Sequence, residues 1–105
     1  MKKIEQVPHG PYVIARTYSA GVFAGELEHR DGKECRLVNA RRIWYWAGAA
    51  SLSELAVRGT SRPTECKFPC AVPVIILPEV IEILEVTPVA RASIEGVREW
   101  TQHSK

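Results

Sequence analysis

The residues of this chain best suited to holding a ligand are arginines and large aromatics. They are densest in one run, Asn39-Ala40-Arg41-Arg42-Ile43-Trp44-Tyr45-Trp46, which holds two of the three tryptophans. An arginine offers phosphate a planar fork of donors. An exposed Trp or Tyr can stack on a nucleobase, worth roughly 1–3 kcal/mol per base. On this reading Arg16, Arg41 and Arg42 are phosphate donors, and Trp44 and Trp46, with Tyr45 between them, are stacking residues. Phe68, between Lys67 and Pro69, is a second stacking residue, and Arg91 could close over an anion from a late helix. Each also has a structural explanation. A tryptophan in a small domain is usually core, Arg42 can pair with Trp44 as a cation–π contact, and Phe68 can fix a loop.

No other constellation competes. Cys66 and Cys70 are separated by three residues, but structural zinc needs four converging ligands, and Cys35 with His9, His29 and His103, which would have to complete the set, are scattered. There is no glycine-rich phosphate loop. Ser51 and Ser53 precede a helical pattern, where capping is the ordinary role. Glu79, Glu82 and Glu85 lie on a strand pattern, where solvated edge charges are usual. The residues therefore predict a binding protein without catalytic groups, cofactor or metal.

Composition narrows the ligand. The chain has 105 residues, is 46% hydrophobic and 25% charged, and has a formal net charge of +2. That size predicts a single domain over 1–105, with 1–9 and 101–105 loose. The near-neutral charge gives no field for duplex nucleic acid, so any anion site is local. Three cysteines, and no apolar segment of signal length near Met1, predict reduced thiols in a cytosolic setting. The longest apolar run, Ala71 to Leu77, is too short to span a bilayer.

The elements that would position these residues are legible from patterning. Tyr12–Tyr18, Val22–Glu28 and Glu34–Ala40 read as strands, the third with a pattern that can continue through Trp46; Asp31-Gly32 predicts a type I′ hairpin between the last two. Ser51 and Glu54 form a capping box before a two-turn helix that Gly59 ends. Ala71–Leu77 and Glu79–Val86 are strands separated by a kink at Pro78, and Pro73 pushes the first toward an edge. Thr87-Pro88 opens a second helix that runs to Gly96, followed by a tail tethered by Trp100. The order predicts an α+β fold: a small curled antiparallel β-sheet or barrel-like core with two short helices. If the third strand ran on, period-two alternation would place Arg42, Trp44 and Trp46 on one face and Arg41, Ile43 and Tyr45 on the other. Both faces would be too bulky for solvent, which predicts a homo-oligomer interface at this run.

The blocks Tyr12-Val13-Ile14-Ala15-Arg16-Thr17-Tyr18-Ser19-Ala20-Gly21-Val22-Phe23-Ala24-Gly25, Asn39 to Trp46, Gly48-Ala49 and Ser51-Leu52-Ser53-Glu54-Leu55-Ala56 resemble those of a family of small tailed-phage and prophage proteins. The resemblance runs from about Tyr12 to Trp100. It implies a phage accessory protein acting in the cytoplasm of the bacterial host. By size, β-rich build and Arg/aromatic content the chain is also similar to oligomeric phage sponges that hold cyclic nucleotide or cyclic ADP-ribose signals. The expectation is sequestration of such a signal without cleavage; the alternatives are inhibition of a host defence complex by protein contact, or a minor virion or assembly role.

Overall fold

The computed structural model describes residues 10–102. Five strands, β1 (Tyr12–Thr17), β2 (Val22–Asp31), β3 (Glu34–Arg42), β4 (Val72–Leu77) and β5 (Val80–Glu85), form one antiparallel sheet in the order β4-β3-β2-β1-β5. Two helices, α1 (Leu52–Arg58) and α2 (Pro88–Glu95), complete an α+β fold. The sheet curls but does not close into a barrel.

The curl has a local cause. β2 is ten residues long, and its pairing with β3 slips between Ala24 and Glu26 and again between Leu27 and His29. Each slip sharpens twist and bend. Gly25 makes the first one possible: a Cβ there would lie 3.0 Å from Ala40 Cβ and 3.1 Å from the Val38 carbonyl. The far end of the β2–β3 hairpin thus folds back, and the Val80 amide donates to the Lys33 carbonyl at its tip (2.9 Å). Val13, Ala15, Phe23, Cys35, Leu37, Ala40, Leu77 and Val80, from all five strands, are buried inside this roll. β4 and β5 sit at opposite edges of the sheet yet are separated only by Pro78 and Glu79.

The other face carries the helices. Alternation along β1 sends Tyr12 and Ile14 to this side, where they meet Leu55 and Ala56 of α1, Ile94 of α2, and Ile43, Phe68 and Val97 from the connecting segments. Both helix starts follow their caps. Ser51 Oγ accepts from the Glu54 amide (3.2 Å), while Glu54 Oε1 accepts from the Ala50 amide, one residue earlier than the usual box (2.6 Å). Thr87 Oγ1 accepts from the Ala90 amide (3.1 Å), with Pro88 at the first position. Gly59 closes α1 at φ +78°.

Three sequence expectations are corrected. The β2–β3 turn has positive φ at Gly32 (+62°) but not at Lys33, the arrangement of a type II′ turn, since type I′ needs both. β3 ends at Arg42 and does not run on through Trp46. Alternation is also broken upstream of the aromatic run, where Asn39 adopts φ +50° opposite the slip in the pairing with β2, while the register with β4 is the same on both sides. Leu37, Ala40, Arg41 and Ile43 are consequently all buried, while Asn39, Arg42, Trp44 and Tyr45 are all exposed. With β3 ended at Arg42, the run does not present two bulky strand faces. Of the loose ends expected at 1–9 and 101–105, all but Thr101 and Gln102, both exposed, lie outside the described residues.

Candidate functional site

Beyond β3 the chain leaves the sheet but stays extended, and three such segments lie side by side. The Tyr45 amide donates to the Lys67 carbonyl (3.3 Å) and the Lys67 amide to the Tyr45 carbonyl (2.8 Å). Phe68 bridges to Glu99, and the Trp100 amide donates to the Phe68 carbonyl (3.0 Å). Trp100 is therefore held by backbone as well as by its ring. Buried Ile43 and Phe68 pin the first two segments into the helix-side core. Their neighbours in sequence are turned outward by the same alternation.

The result is an aromatic cluster around one cation. The rings of Trp44 and Trp100 are 4.8 Å apart between centroids and tilted by 48°. Lys67 Nζ lies 5.6, 5.8 and 5.9 Å from the ring centres of Trp100, Trp44 and Tyr45, within cation–π range of all three. Trp44 is 58% exposed and Tyr45 53%. Two such side chains next to each other in water, with a third ring beside them, form an unusual apolar surface for a small domain.

The arginines expected to clamp phosphate are committed elsewhere. Arg41 is only 8% exposed. Its guanidinium donates to the carbonyls of Val97 (2.8 Å), Phe68 (2.8 Å) and Ile94 (3.1 Å), and more weakly to that of Pro69 (3.4 Å). It also lies over the Phe68 ring. Desolvation lowers its pKa, but a guanidinium remains charged. Arg42 donates to the Ala20 carbonyl (2.6 Å) and covers the Phe23 ring at 4.4 Å, so its aromatic partner is Phe23. Arg16 pairs with Glu82 across β1 and β5 (2.8 Å). Arg91 pairs with Glu26 (2.6 Å) and Glu95 (3.0 Å) and lies over Tyr12; the bonds to those carboxylates raise its pKa against desolvation.

The aromatics divide as well. Phe68 is fully buried and Trp46 packs half-buried against the helix-side core. Of the expected stacking residues, Trp44 and Tyr45 stand at the exposed cluster, and they are joined there by Lys67 and Trp100. The sequence held one signal for Lys67: if Phe68 is core, its extended neighbour must face the opposite way. Nothing in the chain marks the pairing with Trp100.

A shallow cavity of about 390 Å³ opens nearby, lined by Tyr12, Asn39, Arg41, Glu95, Val97 and Glu99 among others. Its arginine is spent on carbonyls and two carboxylates face it, so it suits an anion poorly. Burial, together with the nearby Glu95 charge, pushes the Tyr12 hydroxyl up to about 12. No group of three or more His, Cys, Asp or Glu side chains poised for a metal occurs among the described residues. Nor is any helix there long and apolar enough to cross a membrane.

The profile described as "Domain of unknown function (DUF6948)" matches residues 10–94. The chain belongs to that family. The matched span includes Trp44, Tyr45 and Lys67 and stops short of Trp100, so the family segment carries three of the four cluster residues. Searches of curated proteins and of solved structures each returned no match.

Proposed function

We propose that this chain is a non-catalytic binding protein that docks a partner protein through Trp44, Tyr45, Lys67 and Trp100. The observation that carries the reading is the exposure of Trp44 and Tyr45 beside Trp100. Tryptophan and tyrosine dominate binding hot spots because they bury a large area at low entropic cost. Small-molecule sites, by contrast, are concave, and this surface is open. In the phage setting implied by the sequence resemblance, the partner is a host defence protein in the bacterial cytoplasm and the outcome is its inhibition.

A second reading keeps the nucleotide-derived signal as ligand. Its support is Lys67, whose ammonium sits among three rings where a phosphate and a stacked base could be taken together. It no longer draws on Arg16, Arg41, Arg42 or Arg91, all of which have internal partners.

Two measurements separate the readings. Affinity capture from the host uses wild type and a Trp44→Ala/Tyr45→Ala variant as baits. The protein reading expects a host protein retained by the first and lost with the second. Isothermal titration against cyclic di- and trinucleotides and cyclic ADP-ribose isomers expects no heat. Saturable heat that disappears in Lys67→Ala transfers the proposal to the nucleotide reading. Equal capture by both baits defeats the aromatic surface as the site.

A further inference from the structure

The two edges of the sheet are unlike each other. β5 carries Glu82 and Glu85, with Glu79 just ahead of it, and α1 packs close by. Charge and cover of this kind are how proteins keep sheet edges from pairing. β4 has neither. From Ala71 to Pro78 the chain carries no charge, and no strand among the described residues pairs with the outer edge of β4. Its outward side chains, Val72, Val74 and Ile76, are 38%, 39% and 55% exposed. Their alternates, Ile75 and Leu77, are packed inside the roll.

We infer that the outer edge of β4 pairs antiparallel with β4 of a second copy of this chain, joining two sheets across a two-fold axis. The charge pattern selects the occupant. A two-fold contact sets a strand against itself, so any charge on it meets a like charge nearby. The uncharged stretch Ala71–Pro78 avoids this in every register, whereas β5 would bring glutamates together. Pro73 has no amide to donate, which centres the pairing on Val74 to Leu77 and leaves the start of the strand outside it. The apolar row is short, and standard stable interfaces bury about 1,200–2,000 Å². The dimer is therefore expected to be concentration-dependent.

Sedimentation velocity over a wide concentration series tests this. Wild type is expected to shift from monomer towards dimer. Val74→Lys and Ile76→Lys, both at exposed positions, are expected to stay monomeric at every concentration with unchanged circular-dichroism melts, while Glu82→Lys dimerises as wild type does. A wild type that remains monomeric throughout, or a dimer that persists in both β4 variants, overturns the inference. Should the lysine variants melt early, hydrogen exchange on wild type decides: slowing at high concentration is expected within 72–77. Slowing centred on 44–45 or 100 instead assigns the contact to the aromatic cluster and overturns the β4 interface.

Discussion

Replacing Arg41 with methionine tests how the aromatic cluster is held. The guanidinium ties the carbonyls of Phe68 and Pro69 to those of Ile94 and Val97, bridging the segment that carries Lys67 and the one that leads to Trp100. Methionine keeps much of the side-chain volume and removes every donor. Two of the bonds are short, and a hydrogen bond to a charged group contributes about 1.5–3 kcal/mol net. Phe68 and Ile94 keep backbone donors, from Trp100 and Val97 respectively. The Val97 carbonyl loses its short bond. Against this, methionine avoids the cost of burying a charge. The expected net loss is about 3 kcal/mol, which for a domain of this size lowers Tm by about 12–24 °C. Thermal melts followed by far-UV circular dichroism measure it. Near-UV dichroism and tryptophan emission should also change at temperatures where the variant is still folded, because the Trp44–Trp100 contact depends on the bridged segments. Arg41→Lys, with one point charge in place of a fork, should fall between the two. A methionine variant melting within about 4 °C of wild type, roughly 1 kcal/mol, would refute the claim that Arg41 organises this end of the molecule.

Trp44→Ala removes an exposed ring whose contact with Trp100 is worth about 0.5–1.5 kcal/mol; denaturant melts should show a loss of about that size while partner binding disappears. Gly48→Ala should be far more damaging to stability although it touches no candidate site residue. At φ +82° a Cβ would sit 2.5 Å from the Arg62 amide nitrogen, and we expect more than about 2 kcal/mol lost in urea unfolding. Tyr12, whose pKa rises from 10.0 to about 12, binds its proton more tightly in the folded state than in the unfolded one. Its stabilisation is complete below pH 10 and is lost as pH rises towards 12. Tyr12→Phe should flatten that alkaline decline in Tm and remove the phenol that titrates near 12 in ultraviolet absorbance.

Much of the architecture was legible where local chemistry decides it. Ser51, Glu54, Thr87 and Pro88 act within a few residues of themselves, and the helices start where they place them. Pro73 and Pro78 likewise forecast the edge and the break between the last two strands. The aromatic run departs from the expectation because β3 ends at Arg42. Burial still alternates from Arg41 to Trp44, but Tyr45, paired by its backbone with Lys67, faces out beside Trp44, and nothing in an alternation pattern marks where a strand leaves its sheet. The arginines show the complementary limit. Side-chain type predicts that Arg41 can bind an anion. Only tertiary structure shows that the oxygens it binds are four backbone carbonyls from distant segments. The cluster itself joins positions 44, 67 and 100, and no local pattern links them.

The passage of one chain segment from β4 through Pro78 and Glu79 to β5 has a consequence for biosynthesis. β1, β2 and β3 leave the ribosome first and can form their hairpins, but neither of their faces can be sealed at that stage. The interior of the roll needs Leu77 and Val80, and the opposite face needs Leu55, Ile94 and Val97. Non-local closure of this kind is slow and leaves apolar strands bare while it is pending. The nascent meander is thus exposed until residues 77–97 have emerged, and synthesis that stalls before Leu77 should yield aggregation-prone fragments.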